Sequence, residues 1–389
     1  MTLDSTELSN RLRNRYGIKW TKFDHGVIPM WIADMDFGAS SAVQEAMRNA
    51  IGGFGLGYAR QSLHDEVLES LSARYRRLFS TAIDPARSVL STDVVQAIYI
   101  AIATLTEVSD KIIVQSPIYP PFIGAIGDLK REVVFNQLRE TPDGFEFDMD
   151  HLEALCSDPG TPMMLLCNPH NPTGRVMTEA ELDQVASIAA RHNVIVVVDE
   201  IHAEIAYEPY THVPFARAGA LHGTENLLLT SASKAFNLAG LRCAVANFSS
   251  SELLERYNSV PFHMRGAVSN LGMVGTIAAW TDSDDWLDKV MSRLKANRHI
   301  ISEFIAQNAP SLSYCEPQGT YLAWLDFRSV STAEDPAEII QRLGGVALSP
   351  GVNFGPGGQG HARLNFATSE ANLNAGLERI CATIPKFEQ

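Results

Sequence analysis

The chain has 389 residues, 46% hydrophobic and 20% charged, which is typical of a globular protein with an ample core. At roughly 150 residues per domain, this length predicts two or three domains. The net charge of −14, without a run of Lys and Arg, argues against nucleic-acid and anionic-membrane partners. The five cysteines are scattered and form no CxxC, so neither a disulfide framework nor a metal site is expected. Without an apolar leader or a membrane-length apolar run, the sequence predicts a cytoplasmic protein.

Short apolar runs alternate with amphipathic segments between about residues 85 and 250. The predicted strands are 111–114, 131–135, 163–167, 193–198, 226–230 and 243–248. The segment 178–192 predicts a helix that begins with a capping box formed by Thr178 and Glu181. Continuous apolar strands between helices indicate a largely parallel sheet that is covered on both faces, which is an α/β architecture.

The rest of the chain predicts a smaller α+β region. Its predicted elements are a long helix at 284–308, a strand in 321–327, a helix near 336–343, strands at Val346 and 362–366, and a last helix. The Gly-rich segments 52–58 and 355–360 are predicted to be loops.

Polar and aromatic residues follow four of the predicted strands. They are Tyr119 in SPIY, Asn171 in NPHNPTG, Asp199 and His202 in DEIH, and Lys234 in SASK. Ligands of open α/β sheets bind at the carboxyl ends of strands, so we expect these side chains to form one site. Each residue alone is more typical of a turn or a core, and only the ordered set indicates a function.

Other chemistries fit the sequence less well. An apolar strand ending in Asp199 resembles a Walker B motif, but the chain lacks the GxxxxGK[ST] loop that this motif requires. The glycines of 52–58 do not open a helix after a strand, as a dinucleotide fingerprint would. The SxxK pattern of 231–234 is typical of penicillin-interacting serine enzymes, but the SDN and KTG motifs are missing. No HExxH motif or close His pair indicates a metal.

Lys234 follows a buried strand and lies among Ser, Ala and Gly, where little could neutralise an ammonium group. Desolvation favours the neutral amine, which suits a lysine that forms an imine with a carbonyl. The carbonyl cofactor that also requires an acid for its ring nitrogen, an aromatic stacking face, and hydroxyls and cations for its phosphate is pyridoxal 5′-phosphate (PLP). The strand-end residues therefore predict a PLP enzyme.

The chain resembles the fold-type I PLP-dependent, aminotransferase-like enzymes along essentially its whole length. Within them it is most similar to the MalY/PatB group of C–S β-lyases, or cystathionine β-lyases. The motifs that carry the resemblance are ADMDF (33–37), LGYAR (56–60), SPIYPPF (116–122), LLCNPHNPTGRV (165–176), VVVDEIH (196–202), TSASKAFNLAGLR (230–242), GTYLAWLD (319–326) and ARLNFAT (362–368).

The resemblance implies the fold-type I PLP-dependent transferase fold. A large PLP-binding domain with a mostly parallel sheet would span residues 51–283, and a smaller α+β C-terminal domain would span 284–389. Residues 1–50 would form an N-terminal segment that completes the small domain and the active-site entrance.

The resemblance also implies a role for each strand-end residue. Lys234 would bind the cofactor covalently and remove the substrate α-proton. Asp199 would bind the pyridine nitrogen, and Tyr119 would stack on the ring as a catalytic and cofactor-binding residue. Asn171 and His202 would contact the 3′-oxygen of the cofactor.

The phosphate and substrate groups follow from the same resemblance. The implied phosphate ligands are Ser231, Ser233, Arg242 and the backbone amides near Val94 and Val95 at a helix start. Tyr58 would reach the phosphate of a neighbouring subunit, which implies a homodimer. Arg363 would hold the substrate α-carboxylate as a bidentate fork, with Ala33 and Asn171 beside it.

Two residues depart from the pattern of the group. Asp93 stands in the phosphate loop where many relatives place a small residue, and a carboxylate beside a phosphate is unfavourable. Either Asp93 is therefore expected to point away, or the assignment of the phosphate loop is wrong. Arg242 supplies a cation that β-lyases of this group often lack and that aminotransferases have.

The implied reaction cleaves cystathionine or a related L-cysteine S-conjugate, a small amino-acid substrate, to a thiol, pyruvate and ammonia. The same residues would support an aminotransferase, or a decarboxylating or deaminating enzyme acting on a cysteine S-conjugate in specialised metabolism. Some members of the group also regulate transcription factors by protein contact. The motifs leave these alternatives open.

Overall fold

The computed structural model describes residues 12–13, 17–53, 55–142, 144–330 and 334–386. Within these residues the strands are β1 (Ile28–Pro29), β2 (Ser88–Ser91), β3 (Lys111–Val114), β4 (Glu132–Phe135), β5 (Arg139–Thr141), β6 (Gly144–Glu146), β7 (Met163–Cys167), β8 (Ile195–Asp199), β9 (Asn226–Thr230), β10 (Ala244–Phe248), β11 (Ser313–Tyr314), β12 (Leu322–Asp326), β13 (Val346–Ala347), β14 (Ser349–Pro350) and β15 (His361–Asn365).

The α-helices in the same residues are α1 (Ile18–Thr21), α2 (Ser41–Gly52), α3 (Gln61–Phe79), α4 (Val94–Leu105), α5 (Pro120–Asp128), α6 (Met149–Cys156), α7 (Glu179–Arg191), α8 (Phe215–His222), α9 (Ser251–Tyr257), α10 (Phe262–Arg265), α11 (Asn270–Asp282), α12 (Asp284–Asn308), α13 (Pro336–Ile339) and α14 (Glu370–Thr383). Short 3₁₀ turns occupy Pro85–Arg87, Ala239–Leu241, Gly351–Phe354 and Ile384–Lys386, and a π-helical turn occupies Ile340–Gly344. In this part of the chain, no helix is both long enough and apolar enough to cross a membrane.

A seven-stranded sheet with the order β2-β10-β9-β8-β7-β3-β4 forms the centre of the described chain. Strands β4, β3, β7, β8 and β9 run parallel, and β10 is antiparallel to both of its neighbours. The largely parallel α/β sheet predicted from the sequence is therefore confirmed. The reversed direction of β10 was not predicted, because an apolar run gives the position of a strand but not its direction.

Both faces of this sheet are covered by helices. On one face, Ile98 of α4 and Ile126 of α5 belong to the same buried cluster as Val197 of β8. On the other face, Val196 of β8 and Leu182 of α7 belong to a second buried cluster. Successive side chains of a strand point to opposite faces, so β8 contributes to both clusters and is apolar up to its last residue.

A second sheet, with the order β11-β12-β15-β14, is antiparallel and follows α12 in the chain. Arg363 of β15 lies opposite Trp324 of β12 and Ser349 of β14. Strand β1 pairs in parallel with β13, where Ile28 lies opposite Val346. The N-terminal segment thus joins the C-terminal α+β region, although the domain boundaries stay a prediction.

Most predicted elements are present, with boundaries shifted by a few residues. Helix α7 begins with the expected capping box of Thr178 and Glu181. The helix predicted near 336–343 is instead α13 followed by a π-helical turn. Gly345 terminates this turn in the left-handed region, with a φ of 65°. Strand β2 was missed because its sequence, SVLS, is short and carries little apolar signal.

Candidate functional site

The predicted strand-end residues lie around one cavity of about 580 Å³ at the carboxyl edge of the seven-stranded sheet. The predicted site residues that line this cofactor-site cavity are Ala33, Val94, Val95, Tyr119, Asn171, His202, Ser233, Lys234 and Arg242. Three other predicted residues are attached to its wall. Asp199 precedes the Ile201–His202 part of the wall, Ser231 is hydrogen-bonded to Ser233, and Arg363 is hydrogen-bonded to Asn171.

Lys234 lies on the loop after β9 and directs its amine into this cavity. Its Nζ donates a hydrogen bond to the carbonyl oxygen of Ala33 at 2.7 Å. Burial lowers the pKa of Lys234 to about 8, and the opposing influences of Asp34 and Asp199 are smaller. A substantial fraction of this amine is therefore neutral near pH 8, and a neutral amine is what nucleophilic attack and proton abstraction require.

Asp199 is the last residue of β8, and its side chain is buried. Its Oδ1 accepts a hydrogen bond from the backbone amide of Ile201 at 2.9 Å. Burial raises the pKa of Asp199 to about 7, although the Ile201 amide and the Lys234 charge favour the carboxylate. An acid that is this poorly hydrated binds a cationic N–H strongly if one is brought to it.

His202 is buried in the cavity wall with its Nδ1 unpaired in the part of the chain that the structure describes. Burial lowers the pKa of His202 well below its usual value, so the ring is neutral. The His202 ring approaches the ring of Tyr321 edge to face, with 5.7 Å between the ring centroids. A buried polar atom without a partner is uncommon and indicates a group that is meant to receive one.

Arg363 projects from β15 between the two sheets. Its Nη1 donates to Asn171 Oδ1 at 2.8 Å, and its Nη2 donates to the Trp31 carbonyl at 3.0 Å and to Ser349 Oγ at 3.2 Å. Burial lowers the pKa of Arg363 to about 10, so the side chain remains a cation at neutral pH. No acidic side chain among the described residues forms a salt bridge with it, which leaves its charge available to a carboxylate.

Tyr119 directly precedes α5, and its half-buried side chain lines the cavity. Burial raises the pKa of its phenol, so the hydroxyl is protonated at neutral pH. Its position is compatible with the predicted stacking face.

The opposite end of the cavity combines a helix start with hydroxyls and a cation. Helix α4 begins at Val94, and the Oγ atoms of Ser231 and Ser233 lie 2.6 Å apart. Ser231 also donates to the Cys243 carbonyl at 2.6 Å. Arg242, with a left-handed φ of 56°, completes this group. Backbone amides at a helix start, hydroxyls and a guanidinium together are a typical anion site.

The expectation that Asp93 points away from this end is wrong. Asp93 lines the cavity, forms a salt bridge with Arg242 and caps α4 by accepting the Gln96 amide at 2.7 Å. The carboxylate is tolerated because a guanidinium and a helix start both stabilise negative charge.

Tyr58 does not reach the cavity of its own chain, and its side chain is fully exposed. The loop that carries it is held by Asn270, whose Nδ2 donates to the carbonyls of Gly55 and Gly57, both at 2.9 Å. Tyr58 is thus presented to solvent at a fixed place.

Two asparagines that the sequence analysis did not single out position the ADMDF segment against the site. Asn237 Oδ1 accepts the Met35 amide at 3.0 Å, and Asn237 Nδ2 donates to the Met35 and Phe37 carbonyls. Asn365 Nδ2 donates to the Ile32 and Asp34 carbonyls, both at 2.6 Å. Both lie inside motifs that the sequence analysis used, but only the fold reveals their partners.

In the residues that the structure covers, no group of three or more His, Cys, Asp or Glu side chains is arranged to hold a metal ion.

Comparison with known proteins identifies the family. The model of the aminotransferase class I and II family matches residues 26–380. The chain belongs to this family. It is 34% identical over 375 residues to a cystathionine β-lyase of Corynebacterium glutamicum, covering 96% of this chain and 98% of that protein. It is 32% identical over 378 residues to the cystathionine β-lyase PatB of Bacillus subtilis strain 168, covering 94% and 96%.

The fold is shared with solved structures. A PLP-bound C–S lyase from Staphylococcus hominis superposes with a TM-score of 0.90 at 28% identity, covering 95% of this chain and 97% of that chain. The expected fold-type I architecture and the resemblance to the MalY/PatB group are both confirmed.

The raised pKa of Asp199 predicts a pH-dependent cost to the stability of the ligand-free protein. A folded pKa of about 7 lies above the unfolded value of about 3.9, so the stabilising contribution present at low pH is lost as pH rises through about 4 to 7. Asp199→Asn removes this titration. In urea unfolding, the free energy of unfolding of the variant minus that of the native protein should rise between about pH 4 and 7 and stay constant above that range.

The exposed Asp288 of α12 provides the control for replacing a carboxylate by an amide, and the free energy of unfolding of Asp288→Asn should match that of the native protein. A constant difference between Asp199→Asn and the native protein from pH 4 to 8 would contradict the raised pKa.

Proposed function

We propose that this protein is a PLP-dependent C–S β-lyase that cleaves cystathionine or a related L-cysteine S-conjugate to a thiol, pyruvate and ammonia. The observation that carries the proposal is the cofactor-site cavity, which Lys234 lines and to whose wall Asp199 and Arg363 are attached. The family match and the cystathionine β-lyases among the relatives support the same activity.

The residues present fit PLP. The unpaired Nδ1 of His202 offers a buried hydrogen-bonding group near the amine of Lys234. Asp199 offers a poorly hydrated carboxyl for a ring nitrogen, and the start of α4 with Arg242 offers an anion site. When bound, PLP supplies a ring that accepts the electron pair left when an amino acid loses its α-proton.

Each residue would perform one task towards that cofactor. Lys234 would hold it through its carbonyl carbon, and Asp199 would keep its ring nitrogen protonated. Tyr119 would stack on the ring, while Asn171 and His202 would hydrogen-bond to the ring oxygen. The phosphate would be bound by Ser231, Ser233, Arg242 and the amides of Val94 and Val95.

The substrate would be oriented by Arg363. Its guanidinium is already fixed by Asn171, the Trp31 carbonyl and Ser349, so little side-chain entropy is lost when an α-carboxylate binds. The Ala33 carbonyl accepts a hydrogen bond from Lys234 Nζ at 2.7 Å, so it lies beside the amine that would act on the substrate. Lys234, with a pKa near 8 in the free protein, would remove the α-proton at its Nζ.

A lyase and an aminotransferase differ in the step that follows removal of the α-proton. A lyase expels the sulfur substituent, and a thiolate with a pKa of about 8.5 is a reasonable leaving group. An aminotransferase instead returns the proton to the cofactor. Since the family includes both activities, the products must decide.

We also propose a homodimer in which Tyr58 reaches the phosphate site of the neighbouring subunit. The support is the exposure of Tyr58 together with that of Leu56, Phe262 and Met264, because exposed apolar side chains are typical of subunit interfaces.

The five cysteines are free, which is compatible with a reducing compartment. A cytoplasmic location stays a prediction.

The product balance tests the proposed function. With L-cystathionine and no added keto acid, the PLP-loaded protein should release pyruvate, ammonia and thiol in many-fold molar excess over enzyme. Pyruvate is measured with a coupled dehydrogenase assay. If turnover stops at one equivalent and only a keto acid restarts it, the protein is an aminotransferase.

Replacing Arg363 tests carboxylate recognition. Arg363→Lys keeps the positive charge but loses the planar fork. It should lower kcat/KM for amino-acid substrates by about 5- to 150-fold, or about 1–3 kcal/mol, without changing PLP affinity. The exposed Arg379 of α14 provides a control, since Arg379→Lys should leave both values unchanged. Native kinetics in Arg363→Lys would place carboxylate binding elsewhere.

The salt bridge between Asp93 and Arg242 predicts a tighter cofactor complex when the carboxylate is neutralised. Asp93→Asn keeps a good helix cap and removes the charge that competes with phosphate for Arg242. PLP titration of the cofactor-free protein, followed by fluorescence, should give a Kd lower by about 2- to 5-fold, the scale of a partly exposed ion pair. An unchanged or higher Kd would show that Asp93 does not compete with the phosphate.

A further inference from the structure

A second cavity, of about 680 Å³, opens beside the cofactor-site cavity. Tyr119 lines both cavities. Arg363 lines the second, and its Nη1 donates to Asn171 in the wall of the first at 2.8 Å. An amino acid with its carboxylate on Arg363 and its α-carbon at Lys234 therefore lies at the junction, and its S-substituent can extend into the second cavity. The volume is well above that needed for a small alkyl group.

The charged side chains of this second cavity are Lys22, Glu338, Arg342 and Arg363. Arg342 already pairs with Glu334 at 2.6 Å, and Arg363 is assigned to the α-carboxylate. Lys22 and Glu338 have no salt-bridge partner within the described part of the chain. One cation and one anion are thus left facing the same space.

Lys22 is held at the cavity wall by aromatic rings. Its Nζ lies 4.1 Å from the centroid of the Trp31 ring and 5.4 Å from that of Phe23, and these two rings pack edge to face. Cation–π contacts position the ammonium group without neutralising it. Lys22 can therefore still bind a carboxylate.

Glu338 lies on α13, which is fixed by its first turn. Asp335 caps this helix by accepting the Ala337 amide at 2.8 Å, and the backbone amide of Glu338 donates to the Asp335 carbonyl at 3.1 Å. Glu338 is exposed and lines the second cavity, so its carboxylate can accept an ammonium group there.

We propose that the second cavity binds the distal end of the S-conjugate and is selective for a leaving thiol that carries its own α-amino-acid group. Lys22 binds the distal carboxylate, and Glu338 binds the distal ammonium. This inference rests on the proposed β-lyase function, and it makes Lys22 and Glu338 determinants of substrate choice that take no part in the bond cleavage.

Four conjugates separate the two charges. L-Cystathionine carries both distal groups, S-(2-carboxyethyl)-L-cysteine only the carboxylate, S-(2-aminoethyl)-L-cysteine only the ammonium, and S-propyl-L-cysteine neither. Lys22→Gln should lower kcat/KM by about 2- to 5-fold for cystathionine and the carboxyethyl conjugate, relative to S-propyl-L-cysteine. Glu338→Gln should do the same for cystathionine and the aminoethyl conjugate. For the conjugate that lacks the charge bound by the substituted residue, this relative kcat/KM should be unchanged in each variant.

Two exposed residues provide matched controls, since Lys289→Gln on α12 and Glu378→Gln on α14 should leave all four values unchanged. Calorimetric titration with the same conjugates can be made on Lys234→Ala alone and on Lys234→Ala combined with Lys22→Gln or Glu338→Gln. The dissociation constants should show the same dependence on the distal charges as kcat/KM does. Equal effects on all four conjugates, or none, would overturn the distal site while pyruvate release still upheld the lyase. No pyruvate from the native protein with any conjugate would instead overturn the proposed function, and the distal site with it.

Discussion

Removing Lys234 and Asp199 from water is the constraint on which the site depends. Burial moves the pKa of the amine down to about 8 and that of the carboxyl up to about 7, so both groups titrate close to neutral pH. In water the pKa values of a lysine and an aspartate lie about 6.5 units apart. The sheet is covered on both faces and provides this burial at the strand ends, which is why β8 and β9 are continuous apolar runs in the sequence.

The substrate side depends on the meeting of distant parts of the chain. The N-terminal segment supplies the Ala33 carbonyl to Lys234 and the Trp31 carbonyl to Arg363. Arg363 itself comes from the second sheet, and Asn171 comes from a loop of the first. A carboxylate bound here would contact groups from all three regions, so substrate binding and the relative placement of these regions are linked.

The sequence predicted those features that depend on local patterns. Strands β7 and β9 have the predicted bounds because a continuous apolar run ended by polar residues marks a buried strand. Lys234, Asp199 and Asn171 follow predicted strands in the sequence, which indicated that all three lie at one edge of the sheet. The direction of β10, the pairing of Asp93 with Arg242 and the contacts of Asn237 were not accessible, because each depends on residues brought together only by the fold.

The proposed chemistry requires Lys234 to be the amine that holds the cofactor. Borohydride reduction of the PLP-loaded protein fixes the cofactor covalently to the amine that bears it, and peptide mass spectrometry then locates the modified residue. We expect stoichiometric modification of the peptide that contains Lys234, and no fixation in the Lys234→Ala variant. A reduced cofactor on any other lysine, or an unmodified Lys234 in protein that turns over, would contradict it.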